Sequence, residues 1–141
     1  MKVFLDTIAA CIADHEHHTR ALPVVQTVHQ QRVQGFVSGH GLLEAHSTLT
    51  RLPRTPRISA LQAATLITEN ITKHFSIVAL SGKEYAELST TLGQAGITGG
   101  KSYDILHLAC AEKSKADRIF TFNFQDFIEL AAHLRHKIVA P

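Results

Sequence analysis

Short apolar segments alternate with longer segments of helical periodicity along the whole chain, and no other feature of the sequence constrains the fold as strongly. Strand-like runs cover residues 2–5, 35–38, 75–80, 118–121 and 137–140. The segments between them predict helices over residues 14–34, 40–52, 59–73, 81–95, 102–114 and 126–134. Strands separated by helices are typical of a parallel sheet with helices on its faces. We therefore predict one α/β domain over residues 1–141, with a central parallel sheet flanked by helices.

Polar residues and a proline mark where the predicted helices begin and end. Asp14 and Ser59 are candidate N-caps. Ser81 is followed three residues later by Glu84, which is the spacing of a capping box. Pro53 stops the helix that precedes it and opens a proline-containing loop.

The size and composition of the chain fit one globular domain and exclude several classes of protein. A chain of 141 residues with 45% hydrophobic side chains can bury a core, so a disordered, collagen-like or acidic-tail protein is excluded. The net charge of +2 allows nucleic acid as a partner without requiring it. Cys11 and Cys110 lack disulfide spacing, and the chain has neither a signal peptide nor an apolar run of about 18 residues. We therefore expect a cytoplasmic protein with free thiols and no membrane association.

Acidic side chains fall where the predicted sheet would bring them together. Asp6 ends the first strand, Glu44 lies one turn into the helix after the second strand, and Asp104 begins a strongly apolar helix. Asn123 and Asp126 follow the fourth strand. Sites in open α/β sheets gather at the carboxyl ends of the strands, so these side chains are predicted to converge on one edge of the sheet.

Such a group of carboxylates predicts a site for a hard cation. Carboxylates that repel one another stay together only with a cation or with raised pKa values. Oxygen ligands without thiolates or paired imidazoles suit Mg²⁺ or Mn²⁺, which can activate water and stabilise charge on a phosphoryl oxygen. The predicted chemistry is phosphodiester hydrolysis. Taken singly, each acid also has an ordinary structural explanation: Asp6 as a turn residue, Glu44 as a solvated helix residue and Asp104 as an N-cap.

The same residues carry a resemblance to a known family. Five segments, in their order and spacing, resemble a PIN domain, and most closely the VapC-like toxins of type II toxin–antitoxin pairs. They span residues 5–7, 38–44, 99–106, 116–123 and 126–127. Residues 49–53 and 56–59 also resemble one bacterial branch of that family. The likeness covers nearly the whole chain, and it rests on the order of the motifs rather than on any single one.

The resemblance implies both a fold and an activity. It implies a parallel sheet flanked by helices, a Mg²⁺ or Mn²⁺ site, and an endoribonuclease that acts as a toxin on an RNA substrate. It also implies a homodimer that is neutralised by a cognate antitoxin, which inserts a segment near the active site. Asp6, Glu44 and Asp104 match the three acids of the family's metal-binding core. Thr7 and Thr121 match hydroxyl positions that hold this acidic cluster by hydrogen bonds.

Two departures from the family's pattern leave an alternative open. Asn123 stands where the family often has a fourth acid. An asparagine can still position a metal-bound water, but it adds no charge. Asp126 could substitute as a metal ligand. Residues 8–10 also replace the polar residue and longer apolar turn that usually follow Asp-Thr. The alternative is a catalytically degenerate PIN domain that binds RNA or a protein partner. A nuclease acting on DNA would use the same acids.

Several histidines and a lysine lie near these positions in the sequence. His40 is a candidate for bordering the site, and His107 is expected to be a satisfied buried histidine or to touch the site. Lys101 is a candidate for holding the RNA backbone. The histidine-rich residues 14–18 favour a solvated helix start over a transition-metal site. Aromatic residues are not interleaved with basic ones, so the sequence does not support a base-stacking surface.

Overall fold

All the described strands of the protein form one parallel sheet. The computed structural model describes residues 1–12 and 16–141. The strands are β1 (Lys2–Leu5), β2 (Gln34–Ser38), β3 (Phe75–Val78), β4 (Arg118–Phe120) and β5 (Ile138–Val139). Their order in the sheet is β3-β2-β1-β4-β5, and every neighbouring pair is parallel. Phe4 of β1 lies opposite Phe36 on one side and Ile119 on the other, so β1 is the central strand. The predicted α/β fold is confirmed.

Helices connect successive strands, as the parallel arrangement requires. Within the described residues they are α1 (His18–His29), α2 (Gly39–Arg51), α3 (Ala60–Ile67), α4 (Gly82–Ala95), α5 (Lys101–Ser114) and α6 (Phe124–Leu130). Turns of 3₁₀ helix cover Ile8–Cys11 and Ala132–Leu134, and a wider π-type turn over Thr68–Thr72 continues α3.

The central strand divides the core into two layers, because successive side chains of a strand point to opposite faces of the sheet. Val3 and Leu5 are buried on one face, together with the first 3₁₀ turn and apolar side chains of α1, α2 and α3. Phe4 is buried on the other face, against α5 and α6. Asp6 follows β1 directly and therefore emerges at the carboxyl edge between these two layers.

The N-cap predicted at Ser59 and the capping box predicted at Ser81 are confirmed, and Ser59 forms a capping box as well. Ser59 Oγ accepts from the backbone N–H of Gln62 at 3.1 Å, while the backbone N–H of Ser59 donates to Gln62 Oε1 at 2.8 Å. Ser81 and Glu84 make the equivalent pair of bonds at 3.1 and 2.9 Å. The candidate N-cap Asp14 lies outside the described residues.

Some predicted helix boundaries differ from those observed. α1 begins at His18 and ends at His29, because the chain turns at Gln31, where φ is 56°. The helix predicted over residues 126–134 begins at Phe124 instead, and the non-helical backbone of Ala131, with φ −138° and ψ 64°, separates it from the following 3₁₀ turn. Asp104 is not an N-cap, since α5 begins at Lys101.

Two expectations drawn from composition can be compared with the structure. Cys11 and Cys110 are buried free thiols, and burial raises their pKa values to about 12 and about 11. Across residues 1–12 and 16–141, no helix has the length and apolar character needed to cross a membrane.

We expect Ser81→Ala to lower the free energy of unfolding by about 1 kcal/mol, because the first turn of α4 loses its capping acceptor. Urea unfolding followed by circular dichroism measures this change. Ser89→Ala is the matched control, since Ser89 is exposed in the middle of α4, where alanine favours the helix. Equal unfolding midpoints for Ser81→Ala and the unmodified protein would contradict the role of the cap.

Candidate functional site

A cleft of about 180 Å³ opens at the carboxyl edge of the sheet. Its walls come from the loop after β1, from α2, from α5 and from the loop after β4. Four of the predicted site residues line it, namely Asp6, Glu44, Asp104 and Asn123. Thr7, Ile8, Ala9, Gly41, Ala45, Thr48 and His107 complete the lining. The structure therefore brings together acids that lie far apart in the sequence.

Asp6 is the most buried acid of the cleft, and both of its carboxylate oxygens are hydrogen-bonded. Its side chain is 8% exposed. The Thr7 hydroxyl donates to Oδ1 at 2.9 Å, and the Thr121 hydroxyl donates to Oδ2 at 2.8 Å. Burial raises the pKa of Asp6, while these two hydroxyl donors act in the opposite direction. These are the contacts that the resemblance to PIN domains implies for the two threonines.

Asp104 lies in the first turn of α5 and is surrounded by other carboxylates. Burial raises its pKa, and the negative charges of Asp6, Asp126 and Glu44 raise it further, while nearby His107 acts in the opposite direction. The electrostatics of the cleft are thus those of like charges held close together, a state that favours a bound cation or a shared proton.

Asn123 connects Asp104 to the buried Asp6. Its side-chain Nδ2 donates to Asp104 Oδ2 at 3.1 Å. Its backbone N–H donates to Thr121 Oγ1 at 2.9 Å, and the same hydroxyl donates to Asp6. Asn123 therefore acts in this structure as a donor that orients an acid, a role that an aspartate at the same position would not perform.

Glu44 is held by two histidines. Its Oε1 lies 2.7 Å from His40 Nε2 and 3.1 Å from His107 Nε2. Burial raises the pKa of Glu44, but the hydrogen bonds and charges of His107 and His40 outweigh it, so the net pKa is lowered. The two histidines therefore favour the ionised form of Glu44.

His107 is both a buried histidine and a neighbour of the site. It is 3% exposed, and its Nδ1 lies 2.9 Å from Ser38 Oγ at the end of β2. Ser38 Oγ also accepts from the backbone N–H of Gly41 at 2.9 Å. His107 Nε2 faces Glu44 and donates to its carboxylate. In the sequence, the spacing of Asp104 and His107 by one helical turn indicated that His107 could touch the site, but not that it contacts Glu44.

Asp126 and the described residues of the histidine-rich segment do not line the cleft. Asp126, on α6, is not a lining residue, although its charge contributes to the raised pKa of Asp104. Its role as a metal ligand stays a prediction. His18 Nδ1 lies 3.0 Å from the carbonyl oxygen of Ala10, and His17 stacks on Phe122 with ring centroids 4.4 Å apart. Residues 13–15 lie outside the described part of the chain.

The oxygen atoms available in the cleft are of the chemical type that a hard divalent cation prefers as ligands. Carboxylate and amide oxygens are the ligands that Mg²⁺ and Mn²⁺ prefer, and Asp6, Glu44, Asp104 and Asn123 supply them. Among residues 1–12 and 16–141, no three His, Cys, Asp or Glu side chains already form a ligand group for a metal ion. Hydroxyl donors contact both carboxylate oxygens of Asp6, while an amide contacts Asp104 Oδ2 and imidazoles contact Glu44 Oε1.

An aromatic residue that the sequence did not single out stands at the rim of the cleft. Tyr103 precedes Asp104 on α5 and stacks on His40, with ring centroids 4.7 Å apart. The two rings come from distant parts of the chain, so only the folded structure brings them together.

The sequence and the fold both resemble known proteins. The sequence profile of the PIN domain family matches residues 3–132, a range that contains every candidate site residue. The chain is 32% identical to Ribonuclease VapC27 of Mycobacterium tuberculosis (strain ATCC 25618 / H37Rv) over 111 residues, which cover 79% of this chain and 77% of that protein. The fold resembles the crystal structure of VapBC2 from Rickettsia felis bound to a DNA fragment from their promoter, with a TM-score of 0.58. That match covers 92% of each chain at 20% identity, so it bears on the fold alone.

The raised pKa of Asp104 predicts how stability depends on pH. Between the ordinary carboxyl pKa and the raised folded value, the folded chain binds more protons than the unfolded chain, so stability falls as the pH rises. In metal-free buffer at neutral pH, we expect Asp104→Asn to raise the free energy of unfolding by up to about 1 kcal/mol, because one repelling charge is removed. Well below the ordinary carboxyl pKa the gain disappears, since the carboxyl is then protonated in both states.

Urea unfolding in EDTA, at neutral pH and at about pH 3, measures this difference. Asp117→Asn is the matched control. Asp117 is exposed, accepts a bond from the backbone N–H of Lys2 at 2.8 Å, and does not line the cleft, so no gain is expected there. A loss of stability in Asp104→Asn at neutral pH would contradict the repulsion between the acids.

Proposed function

This chain belongs to the PIN domain family as a VapC-like member, and from its acidic cleft we propose that it is a Mg²⁺- or Mn²⁺-dependent endoribonuclease. The observation that carries the proposal is the cleft itself. Asp6, Glu44 and Asp104 come from separate parts of the chain and line one space at the carboxyl edge of the sheet. The name of the ribonuclease to which the chain is 32% identical supports RNA as the substrate. The biological role is that of the toxin in a toxin–antitoxin pair, acting in the cytoplasm.

Asp6, Glu44 and Asp104 would hold the divalent ion, with Asn123 or Asp126 completing the set. The raised pKa of Asp104 supports this assignment, because a cation would offset the repulsion that contributes to it. When bound, such an ion lowers the pKa of a water molecule and stabilises negative charge on a phosphoryl oxygen.

The chain's own residues orient the acids before any substrate arrives. Two threonine hydroxyls fix the carboxylate of Asp6, and the amide of Asn123 holds that of Asp104. Glu44 stays ionised because His107 and His40 keep its pKa low. Groups that are already oriented need little reorganisation during the reaction, and this lowers the barrier.

The RNA backbone has a candidate contact on the same helix as Asp104. Lys101 is exposed at the first position of α5, one turn before that acid. We place its ammonium group on a phosphate of the substrate near the cleft. Phosphate contacts of this kind hold a nucleic acid in position without reading its sequence.

Partner proteins are part of the proposal. Leu43 on α2 is 73% exposed and Leu61 on α3 is 79% exposed. A groove of about 370 Å³ along α3, lined by Leu61 with Ile58 and Leu66 among others, adds to this apolar surface. We propose that the chain forms a homodimer and that a cognate antitoxin binds it. Membership of the VapC-like proteins supports the second partner.

The alternative is a catalytically degenerate PIN domain that binds RNA or a protein without cleaving RNA. One observation favours it: Asn123 donates to Asp104 at the position where the family often has an acid. The two functions differ in metal binding. A catalytic site binds Mn²⁺ through its acids, so Mn²⁺ raises the melting temperature of the unmodified protein and this rise is lost in Asp104→Asn.

We expect the purified protein, stripped with EDTA and then given Mg²⁺ or Mn²⁺, to cleave RNA. Asp104→Asn should reduce the cleavage rate about 100-fold or more, because metal-ion catalysis supplies several kcal/mol of transition-state stabilisation. Gel electrophoresis of a labelled RNA measures the rate, and a parallel assay on DNA separates a ribonuclease from a deoxyribonuclease.

Asp117→Asn serves as the control, since it removes one carboxylate outside the cleft, and it should retain the full rate. Cleavage by Asp104→Asn at the unmodified rate would show that the assigned centre is wrong. Absence of cleavage by a folded, partner-free protein in either metal would favour the binding module.

The oligomeric state tests the proposed homodimer. Size-exclusion chromatography with light scattering should give twice the chain mass of 15.5 kDa. A clean monomer at high protein concentration would contradict the homodimer and leave the antitoxin as the partner that covers the apolar surface.

A further inference from the structure

Two aromatic rings stack on each other next to Glu44 and Asp104 of the acidic cleft. The rings of His40 and Tyr103 have centroids 4.7 Å apart and an interplanar angle of 11°. Tyr103 occupies the first turn of α5, directly before Asp104. His40 lies one turn before Glu44 on α2, and its Nε2 is 2.7 Å from Glu44 Oε1. The stack therefore spans the two helices that carry two of the three acids.

The packing of the fold does not account for Tyr103. Its side chain is 54% exposed, and it belongs to neither of the two buried clusters on the faces of the sheet. A large ring that remains so exposed buries little apolar surface, so it adds little to the stability of the fold. The position of the ring beside the acids is its distinguishing feature.

We propose that Tyr103, supported from behind by His40, is a stacking surface for an unpaired nucleobase of the RNA next to the bond that is cleaved. The inference rests on the proposed function, and it assigns to this site a residue that binds a base of the substrate. Aromatic side chains are the usual partners of splayed bases in single-stranded RNA. The contact between His40 and Glu44 restrains the supporting ring, so little conformational freedom is lost when a base binds.

The stacking surface requires an unpaired base for a physical reason. Within a duplex, both faces of each base are covered by neighbouring bases, so a protein ring can reach a base face only after the base has left the stack. Tyr103 is adjacent in sequence to Asp104, so we expect the stacked base to lie near the reacting phosphate. Stacking is tolerant of base identity, so this surface selects for unpaired RNA rather than for one sequence.

The composition of the chain makes a direct test available. The protein has no tryptophan and two tyrosines, Tyr85 and Tyr103. Tyr85 is 46% exposed on α4 and does not line the cleft. In Tyr85→Phe, the intrinsic tyrosine fluorescence therefore reports on Tyr103 alone.

The binding experiment uses the full chain in EDTA, so that no metal-dependent cleavage interferes. The probes are short oligoadenylate and oligouridylate strands, the duplex formed by these two strands, and a strand of the same length without bases. We expect the single strands to quench the fluorescence of Tyr85→Phe, and the duplex and the strand without bases to leave it unchanged. Quenching that is equal for all probes, or absent for all of them, would overturn the inference.

Variants at position 103 separate a stacking role from a structural one. Tyr103→Phe keeps the ring and should bind single strands like the unmodified protein. Tyr103→Leu removes the ring and should weaken binding on the order of 10-fold. Tyr85→Leu is the matched control and should bind normally. Equal affinity of Tyr103→Leu and Tyr85→Leu, with both folded by circular dichroism, would overturn the inference.

The outcome is independent of the proposed nuclease activity. Normal RNA cleavage together with no dependence of binding on Tyr103 would overturn the stacking surface and leave the nuclease in place. Quenching of Tyr103 by single strands, without cleavage in either metal, would support the stacking surface and count against the nuclease.

Discussion

The buried carboxylate of Asp6 is the group on which the arrangement of the cleft depends. A carboxylate removed from water costs free energy unless its oxygens are hydrogen-bonded, and two hydroxyls meet this requirement. One comes from the next residue, Thr7, and the other from Thr121 beyond the end of β4. Satisfying this one group therefore ties the loops after β1 and β4 to each other. It also sets the path of the backbone that carries Asn123 to Asp104.

A second series of polar contacts joins the sheet to the helices across the cleft. Ser38, at the end of β2, contacts His107 of α5, and His107 contacts Glu44 of α2. Because His107 is buried, loss of either partner would leave a ring nitrogen without a hydrogen bond, which is costly in a protein interior. The contacts that satisfy this histidine are also those that keep Glu44 ionised. The stability of the fold and the electrostatics of the site are thus carried by the same hydrogen bonds.

Local patterns were sufficient to predict the parallel sheet and the position of Asp6, because strand and helix periodicity, and the end of a strand, are properties of a few neighbouring residues. The turn at Ile8–Cys11 was missed, since all its side chains are apolar and buried and show no period. The contact of His107 with Glu44, like the aromatic stack at the rim, joins residues distant in sequence. No local pattern encodes which ring meets which carboxylate.

β1 is the first strand of the chain and the middle strand of the sheet, and this order affects how the protein is made. Its neighbour β4 begins at Arg118, so their pairing closes a long loop, and such non-local contacts slow folding. Asp6 gains its second hydroxyl donor, and Asp104 its amide donor, only from residues beyond β4. A nascent chain that lacks this segment carries all three acids without an organised cleft. The ribosome therefore synthesises the chain at least as far as Asn123 before the site exists.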